Sequence, residues 1–409
     1  AVLWWWLKKI FDTYKKQLLA LTAVLFANGL GTFFMNTFPN TDLVPTNFWM
    51  PESITFLSMS QYPVAVFSPA LILLIFGLFI KACEENNRLS LWFASLTALF
   101  LALVHPYDAF TITAVLSTWV IINLFFHKKY IRQLFWIYFA LGLIALYYFL
   151  IFSIDQAAAE LNKQNIVNSR NILEYVFGLG LVSVFSVAAA VLVLKKKLYT
   201  NNYLLLLTIW ALLGWLLVYL PVNFNRRLAN GWHIALTITT MFFLFWWYKE
   251  NKYIRHASII AIFSFLLLFD SFTYINTASL RINENYENKF FYTRQTKEIY
   301  QFIKSETKKD SIILTRGLDG NVLPAFTGQT VYVGHSIQTW KAADKNKEVI
   351  ELWTSQEDIS TWLGSNGIDY IFASREYIPE FYDIKWLATE DYIEVIVDND
   401  NFIFYEVKK

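Results

Sequence analysis

LLVYLPVNFNRRLANGWHIALTITTMFFLFW, residues 217–247, decides how the chain is read. Two apolar runs flank a short polar break, Asn223-Phe224-Asn225-Arg226-Arg227. Two adjacent arginines between hydrophobic helices sit where a bilayer ends and water begins. Cationic side chains there either anchor helix ends or clamp an anion. The pattern is that of a multi-spanning membrane protein, and the composition agrees. Of 409 residues, 56% are hydrophobic and only 16% charged, against about a quarter charged in a soluble domain. The net charge of +2 is too balanced to suggest a nucleic-acid partner. Cys83 stands alone, which excludes an intrachain disulfide.

A transmembrane helix needs about 20 apolar residues. The runs 17–35, 63–81, 89–105, 108–126, 132–152, 176–194, 203–221, 231–248 and 256–275 meet or approach that length. They predict an α-helical polytopic membrane domain of about nine transmembrane helices over residues 1–279. Helices are the choice because lipid leaves no other partner for the backbone. A small soluble α/β domain is expected over residues 280–409. Basic residues alternate between loops. Lys8, Lys9, Lys15 and Lys16 precede the first run, and Lys81 and Arg88 follow the second. Lys128, Lys129 and Arg132 follow the fourth, Lys195, Lys196 and Lys197 the sixth, and Lys249, Lys252 and Arg255 the eighth. Lysine-rich loops stay cytoplasmic. Loops 36–62, 105–108, 153–175 and 222–230 are therefore expected outside, together with the tail. The expectation is a multi-pass protein of the cell membrane with its C-terminal domain on the extracytoplasmic side. The stub AVLWWWL at residues 1–7 is too short to span and lacks the layout of a signal peptide. It reads as the end of an earlier helix.

In the tail, 292–305 has helical spacing, and SIILT (311–315), TVYVG (330–334) and DYIFA (369–373) read as strands. Residues 345–353 and 357–363 read as helices. Residues 392–397 and 402–407, joined by Asp398-Asn399-Asp400-Asn401, read as a hairpin. Alternating strands and helices argue for an α/β layer domain. Gly317, Gly320 and Gly328 do not form a nucleotide-binding fingerprint. Gly29, Gly31, Gly178 and Gly180 lie in apolar runs, where glycine serves close helix packing. His335, after TVYVG, reads as a turn residue.

The notable polar residues fall in the loops expected outside. In NFWMPES (47–53), Glu52 suits a general base beside Trp49 as a platform for a sugar ring. The plainer reading is that Pro51 starts a helix whose dipole Glu52 offsets, with Trp49 as an interface aromatic. In His105-Pro106-Tyr107-Asp108, Asp108 is placed either to cap the next helix or to do acid–base work with His105 and Tyr107. Arg226 and Arg227 suit a phosphate clamp, since guanidinium groups bind phosphate oxygens in pairs. If a helix begins there, His233 lies seven residues beyond Arg226 and shares its face. Loop 153–175 reads as a solvated, partly helical cover. No metal-ligand motif is present and no cofactor is evident, with a divalent metal left open.

Five segments, in order, resemble the GT-C superfamily of polytopic membrane glycosyltransferases, in its bacterial branch. They are WMPESITFLS (49–58), LALVHPYDAF (101–110), LPVNFNRRLANGWHIAL (220–236), GNVLPAFTGQTVYVGHSIQTW (320–340) and GIDYIFASRE (367–376). The resemblance implies a polyprenyl-phosphate-linked sugar as donor and an acceptor glycan, lipid or protein. It implies an outer active site beneath an accessory α/β domain. In that superfamily the key carboxylate ordinarily lies in the first outer loop. This chain is expected to begin after that loop, so either earlier spans precede Ala1 or Glu52 or Asp42 substitutes. Glu52 or Asp108 would then be the catalytic base. Arg226, Arg227 and His233 would bind the donor's phosphate, and Trp49, His105 and Tyr107 the sugar. The competing expectation is a non-catalytic lipid-binding or assembly protein with an outer partner-binding domain. A lipid-wide cavity ending in polar groups separates the two. A transporter fits less well, since no mid-span charge pair or inverted repeat is evident.

Overall fold

A computed structural model describes residues 1–61, 63–126, 129–250, 268–276, 292–315, 317–355, 358–375 and 384–408. The chain divides into two compact units, Ala1–Leu150 with Ile166–Arg281, and Ile151–Asn165 with Ile282–Lys409.

The first unit is helical. It begins with α1 (Val2–Ile10), α2 (Tyr14–Phe26), α3 (Gly31–Thr37), α4 (Thr55–Gln61) and α5 (Pro63–Glu84). Next come α6 (Arg88–Val104), α7 (Asp108–Phe125) and α8 (Ile131–Ile154). The helix α9 (Gln156–Gln164) belongs to the second unit. The first unit resumes with α10 (Ile172–Leu179), α11 (Leu181–Lys195), α12 (Asn202–Leu217) and α13 (Trp232–Glu250).

Helices thus stand at the first eight expected positions, but they are not eight continuous spans. Among the described residues, four helices are long and apolar enough to cross a membrane, or six if each of two bent pairs counts as one span. The helices α6 and α12 are apolar but shorter. Most of the ninth expected run, 256–275, lies outside the described residues.

Both bends have a local cause. The chain leaves helical geometry at Ala27 (ψ 140°), and α2 and α3 meet at 45°. Gly180 takes φ +53°, a left-handed value that glycine adopts without cost, and α10 and α11 meet at 88°. The two breaks dock on each other. Leu30 N–H donates to the Phe177 carbonyl at 2.8 Å, satisfying a group the break had freed. A Cβ on Gly29 would lie 2.1 Å from the Gly178 carbonyl oxygen, so no other residue fits that approach. Elsewhere indoles knit the interior. Trp6 Nε1 donates to Leu73 O at 2.8 Å, and Trp232 Nε1 to Ala211 O at 2.9 Å. Each satisfies the polar end of a large apolar side chain that is fully buried.

The second unit holds one five-stranded sheet in the order β2-β1-β3-β5-β4. The strands are β1 (Ile312–Leu314), β2 (Thr330–Val331), β3 (Ile368–Ser374), β4 (Ile393–Asp398) and β5 (Phe402–Val407). The pairs β1–β2 and β1–β3 are parallel, whereas β3–β5 and β4–β5 are antiparallel. Alternate residues feed two separate cores, as a strand's period of two requires. Tyr370, Phe372 and Phe404 join Ile299, Ile303 and Leu323. Ile371, Ala373 and Tyr405 join Val349, Trp353 and Leu363. The helices supplying these layers are α14 (Arg294–Glu306), α15 (Gly317–Thr327), α16 (Ala342–Ser355) and α17 (Ser360–Ser365). The sequence reading did not anticipate α15, whose Gly320 and Pro324 are poor helix formers. His335 closes a turn, with Nδ1 accepting from Ile337 N–H at 3.2 Å. Loop 153–175 is partly helical, as expected, and α9 has no buried residue. Asp155 caps α9, and Gln164 Nε2 donates to the carbonyls of Ile337 and Thr339.

Candidate functional site

Between α3 and α4 the chain makes two short 3-10 turns, Thr46–Phe48 and Pro51–Ser53. Between α12 and α13 it makes a third, Asn225–Ala229. The third turn is braced by the segment before α10. Val167 N–H donates to Asn223 O at 2.6 Å, Arg226 N–H to Val167 O at 3.3 Å, and Ser169 N–H to Asn225 Oδ1 at 2.7 Å. These bonds satisfy a loop backbone that no helix supplies.

Arg226 and Glu52 meet across these turns, with Nη2 3.2 Å from Oε1. They are 174 residues apart in sequence. Both are partly buried, so water screens the pair less than it would at an open surface. Pro51 begins a helical turn with Glu52 in it, as the plainer reading expected, but the turn has only three residues and the carboxylate answers a guanidinium. Arg226 is held from the other side by Trp49, whose ring centroid is 5.3 Å from Cζ. Trp49 is itself fixed by its indole N–H, which donates to Val44 O at 3.0 Å. Arg170 also lies over this ring, at 5.7 Å, and its Nε is 3.4 Å from Glu174 Oε1. Trp49 is therefore a seat for guanidinium groups. Only one Glu52 oxygen is used. Oε2 is buried and has no hydrogen-bond partner among the described residues.

Asp108 sits in a different setting. It is fully buried at the start of α7. The expected capping role does not hold, since Tyr107 occupies the cap position and α7 has no side-chain cap bond. Instead the carboxylate faces across the bundle. Asn230 Nδ2 donates to both oxygens at 3.1 Å, and Ser68 Oγ donates to Oδ2. His105 Nδ1 lies 3.0 Å from Oδ2. Beside it, Arg227 Cζ is 4.6 Å from the Tyr107 ring centroid, and Phe224 packs on the same ring at 4.7 Å. Tyr107, like Trp49, supports an arginine.

The turn Asn225–Ala229 thus links both clusters: Arg226 reaches Glu52, Arg227 reaches Tyr107, and the following Asn230 reaches Asp108. The break continues to Gly231, at φ +73°, and α13 begins only at Trp232. Arg226 and His233 therefore do not share a helix face, contrary to the spacing argument. His233 is buried within the bundle, with Nδ1 3.0 Å from Thr55 Oγ1.

His233 and Glu52 nevertheless meet, at one cavity. It measures about 460 Å³ and is walled by Val24, Leu25, Met59, Val66, Leu73 and Ile234, among others. Its polar groups come from Glu52, Thr55, Ser58 and His233. That volume is within the range of about 300–1,000 Å³ usual for small-molecule sites. An apolar chamber with a carboxylate, a hydroxyl and an imidazole on its wall can hold a hydrocarbon chain and present a base to a polar group. Among the described residues, no group of three or more His, Cys, Asp or Glu is arranged to hold a metal ion.

Sequence reasoning passed over Ser68, Asn230 and Thr55. Each is a common polar residue whose partner lies far away in the chain, 122 positions for Asn230 and Asp108. No known protein-family model matches this chain, and no curated protein shows significant similarity to it.

Proposed function

We propose that the chain is a membrane-embedded glycosyltransferase of the GT-C kind. It would move a sugar from a polyprenyl-phosphate-linked donor to an acceptor on the extracytoplasmic side. One observation carries the reading: a half-used carboxylate, paired with an arginine, lies on the wall of an apolar cavity. Several helices long and apolar enough to span a bilayer are consistent with such a donor.

In this reading the polyprenyl chain occupies the cavity. Glu52 Oε2 accepts the proton of the acceptor hydroxyl as its oxygen bonds to the anomeric carbon. The bond from that carbon to the phosphate oxygen breaks, and its electron pair leaves with the lipid phosphate. A positioned base contributes about 10²–10⁴-fold. Arg226 is placed to exchange part of its Glu52 contact for the departing phosphate, where positive charge gains value as negative charge develops. Arg227 adds a second guanidinium one residue away. His233 and Thr55 offer hydrogen bonds to the donor. Asp108 takes another role. Its oxygens are already engaged, so it positions Asn230, and through Asn230 the arginine turn. Trp49, Tyr107 and His105 orient these groups rather than stack on sugar.

The test is direct. Purified protein in lipid discs, given radiolabelled polyprenyl-phosphate sugars and a panel of hydroxyl acceptors, should transfer label, and Glu52→Gln should not. The second reading is a protein that holds a lipid without acting on it, which the apolar walls of the cavity favour. Saturable binding of the labelled lipid with no transfer to any acceptor would establish that reading instead.

A further inference from the structure

The opposite end of α6 carries a second cavity, of about 410 Å³, between the first turns of α6 and α8. It is remote from the Glu52 site. The 17 residues of α6 place its ends about 25 Å apart at 1.5 Å per residue. Three features converge on it. Arg88 and Arg132 both line it. The neighbouring carboxylates are used elsewhere, with Glu85 facing Lys81 at 3.9 Å and Glu84 accepting from Asn202 at 2.6 Å. Neither arginine forms an ion pair among the described residues. Both helices also begin here, at Arg88 and Ile131, so two positive helix ends point to one place.

The second feature lies deeper. Ser95 is nine-tenths buried, and its Oγ lacks a hydrogen-bond partner. Gln133 Oε1 is also buried without a partner. Both residues line the cavity. A buried polar atom left unpaired is destabilising, and a ligand group that pairs with it removes that cost. The third feature is the apolar remainder, in which Trp92 and Trp136, with ring centroids 5.9 Å apart, stand above Leu96, Leu99, Phe139 and Leu143. Only 22% of α8 is buried within the protein, so lipid can enter beside it.

We propose that this cavity binds an anionic glycerophospholipid whose headgroup carries free hydroxyls. The phosphate lies between Arg88 and Arg132 at the two helix starts. A headgroup hydroxyl donates to Gln133 Oε1, next to Arg132. Ser95 sits two turns further in along α6, at the depth of the acyl esters, and its hydroxyl donates to an ester carbonyl. The acyl chains follow Leu96, Leu99, Phe139 and Leu143. Charge selects against zwitterionic lipid, and Gln133 selects against a headgroup without hydroxyls. Basic pockets between helix ends are established sites for such headgroups in other membrane proteins.

Thermal unfolding of the full chain in detergent tests this, with phosphatidylglycerol, phosphatidic acid or phosphatidylcholine added. Phosphatidylglycerol should raise Tm most, phosphatidic acid less, and phosphatidylcholine not at all. Arg88→Gln/Arg132→Gln should bind phosphatidylglycerol about tenfold or more weakly, since each surface arginine contributes roughly 1 kcal/mol to anionic lipid. Arg88→Lys/Arg132→Lys should retain part of the response. An equal Tm rise from phosphatidylcholine overturns the proposal on the unaltered chain alone, whether or not the glutamine variant folds. So does a glutamine variant that responds fully, or inorganic phosphate that matches the lipid.

Discussion

Glu52 and Asp108 both lie in polar breaks between apolar helices, and each meets the Asn225–Asn230 segment. Their surroundings nevertheless differ. Both Asp108 oxygens are engaged by Asn230, one also by Ser68 with His105 alongside, and no part of the residue is exposed. Glu52 uses one oxygen on Arg226, leaves the other buried and unpaired, and is among the residues that line a cavity. A carboxylate whose acceptor sites are filled holds structure in place. One with a buried, unfilled acceptor beside an empty volume is placed to receive a proton. Burial alone would have ranked the two in the opposite order.

Substitutions can break or sharpen that contrast. The largest effect is expected from Glu52→Gln, which keeps the shape and removes the proposed base. The transfer rate per folded molecule should fall about 10²–10⁴-fold, with a lower Tm as well because Arg226 loses its counter-charge. Loss of fold instead would make Glu52 a second structural carboxylate. Next is Asp108→Ala, which strands the Asn230 amide and the Ser68 hydroxyl in a dry interior. We expect about 3 kcal/mol of destabilisation, seen as a lower Tm; an unchanged Tm would show that this cluster is not holding the turn. Arg226→Lys keeps the charge but loses the planar fork and much of its stacking on Trp49. A rate reduction of about tenfold, or ~1.4 kcal/mol, is expected. Smallest is Trp49→Phe, which weakens the seat beneath Arg226 and Arg170 by about 0.5–1 kcal/mol. If its loss were as large as that from Glu52→Gln, Trp49 would be contacting substrate after all.

Much of the fold was legible because apolar length is a strong signal. Runs near 20 residues mark helices whatever they pack against, so α5, α7, α8 and α13 stand where expected. The breaks were not legible as breaks. Residues 27–30 read ANGL and 178–180 read GLG, and neither holds a proline or interrupts the apolar character enough to split a run. What bends them is a left-handed glycine and the meeting of two backbones, Gly29 against Gly178. The glycines did announce close packing, though not with which partner. In the tail, β3 and the β4–β5 hairpin follow from runs of β-branched and aromatic residues and from the Asp398–Asn401 turn, whereas α15 was missed because Gly320 and Pro324 argue locally against a helix that the sheet nonetheless stabilises.

The site was half legible. Charged residues stand out in an apolar chain, so Glu52, Asp108, Arg226 and Arg227 could be named. Their pairing was beyond reach, because Glu52 and Arg226 lie 174 residues apart. Local chemistry misled in two places. Asp108 looks like a cap only until Ser68 and Asn230 are brought to it. His233 shares a face with Arg226 only if one helix runs through Gly231, whose positive φ ends the turn first.

The central claim is the division of labour between the two carboxylates. The measurement that tests it most directly is the rate of sugar transfer per folded molecule, from a labelled polyprenyl-phosphate donor, for Glu52→Gln and Asp108→Asn side by side. The account predicts that Glu52→Gln loses at least about a hundredfold per folded molecule, and that folded Asp108→Asn loses far less. Folded Asp108→Asn that is as inactive as Glu52→Gln, or Glu52→Gln that transfers at the unaltered rate, would contradict it.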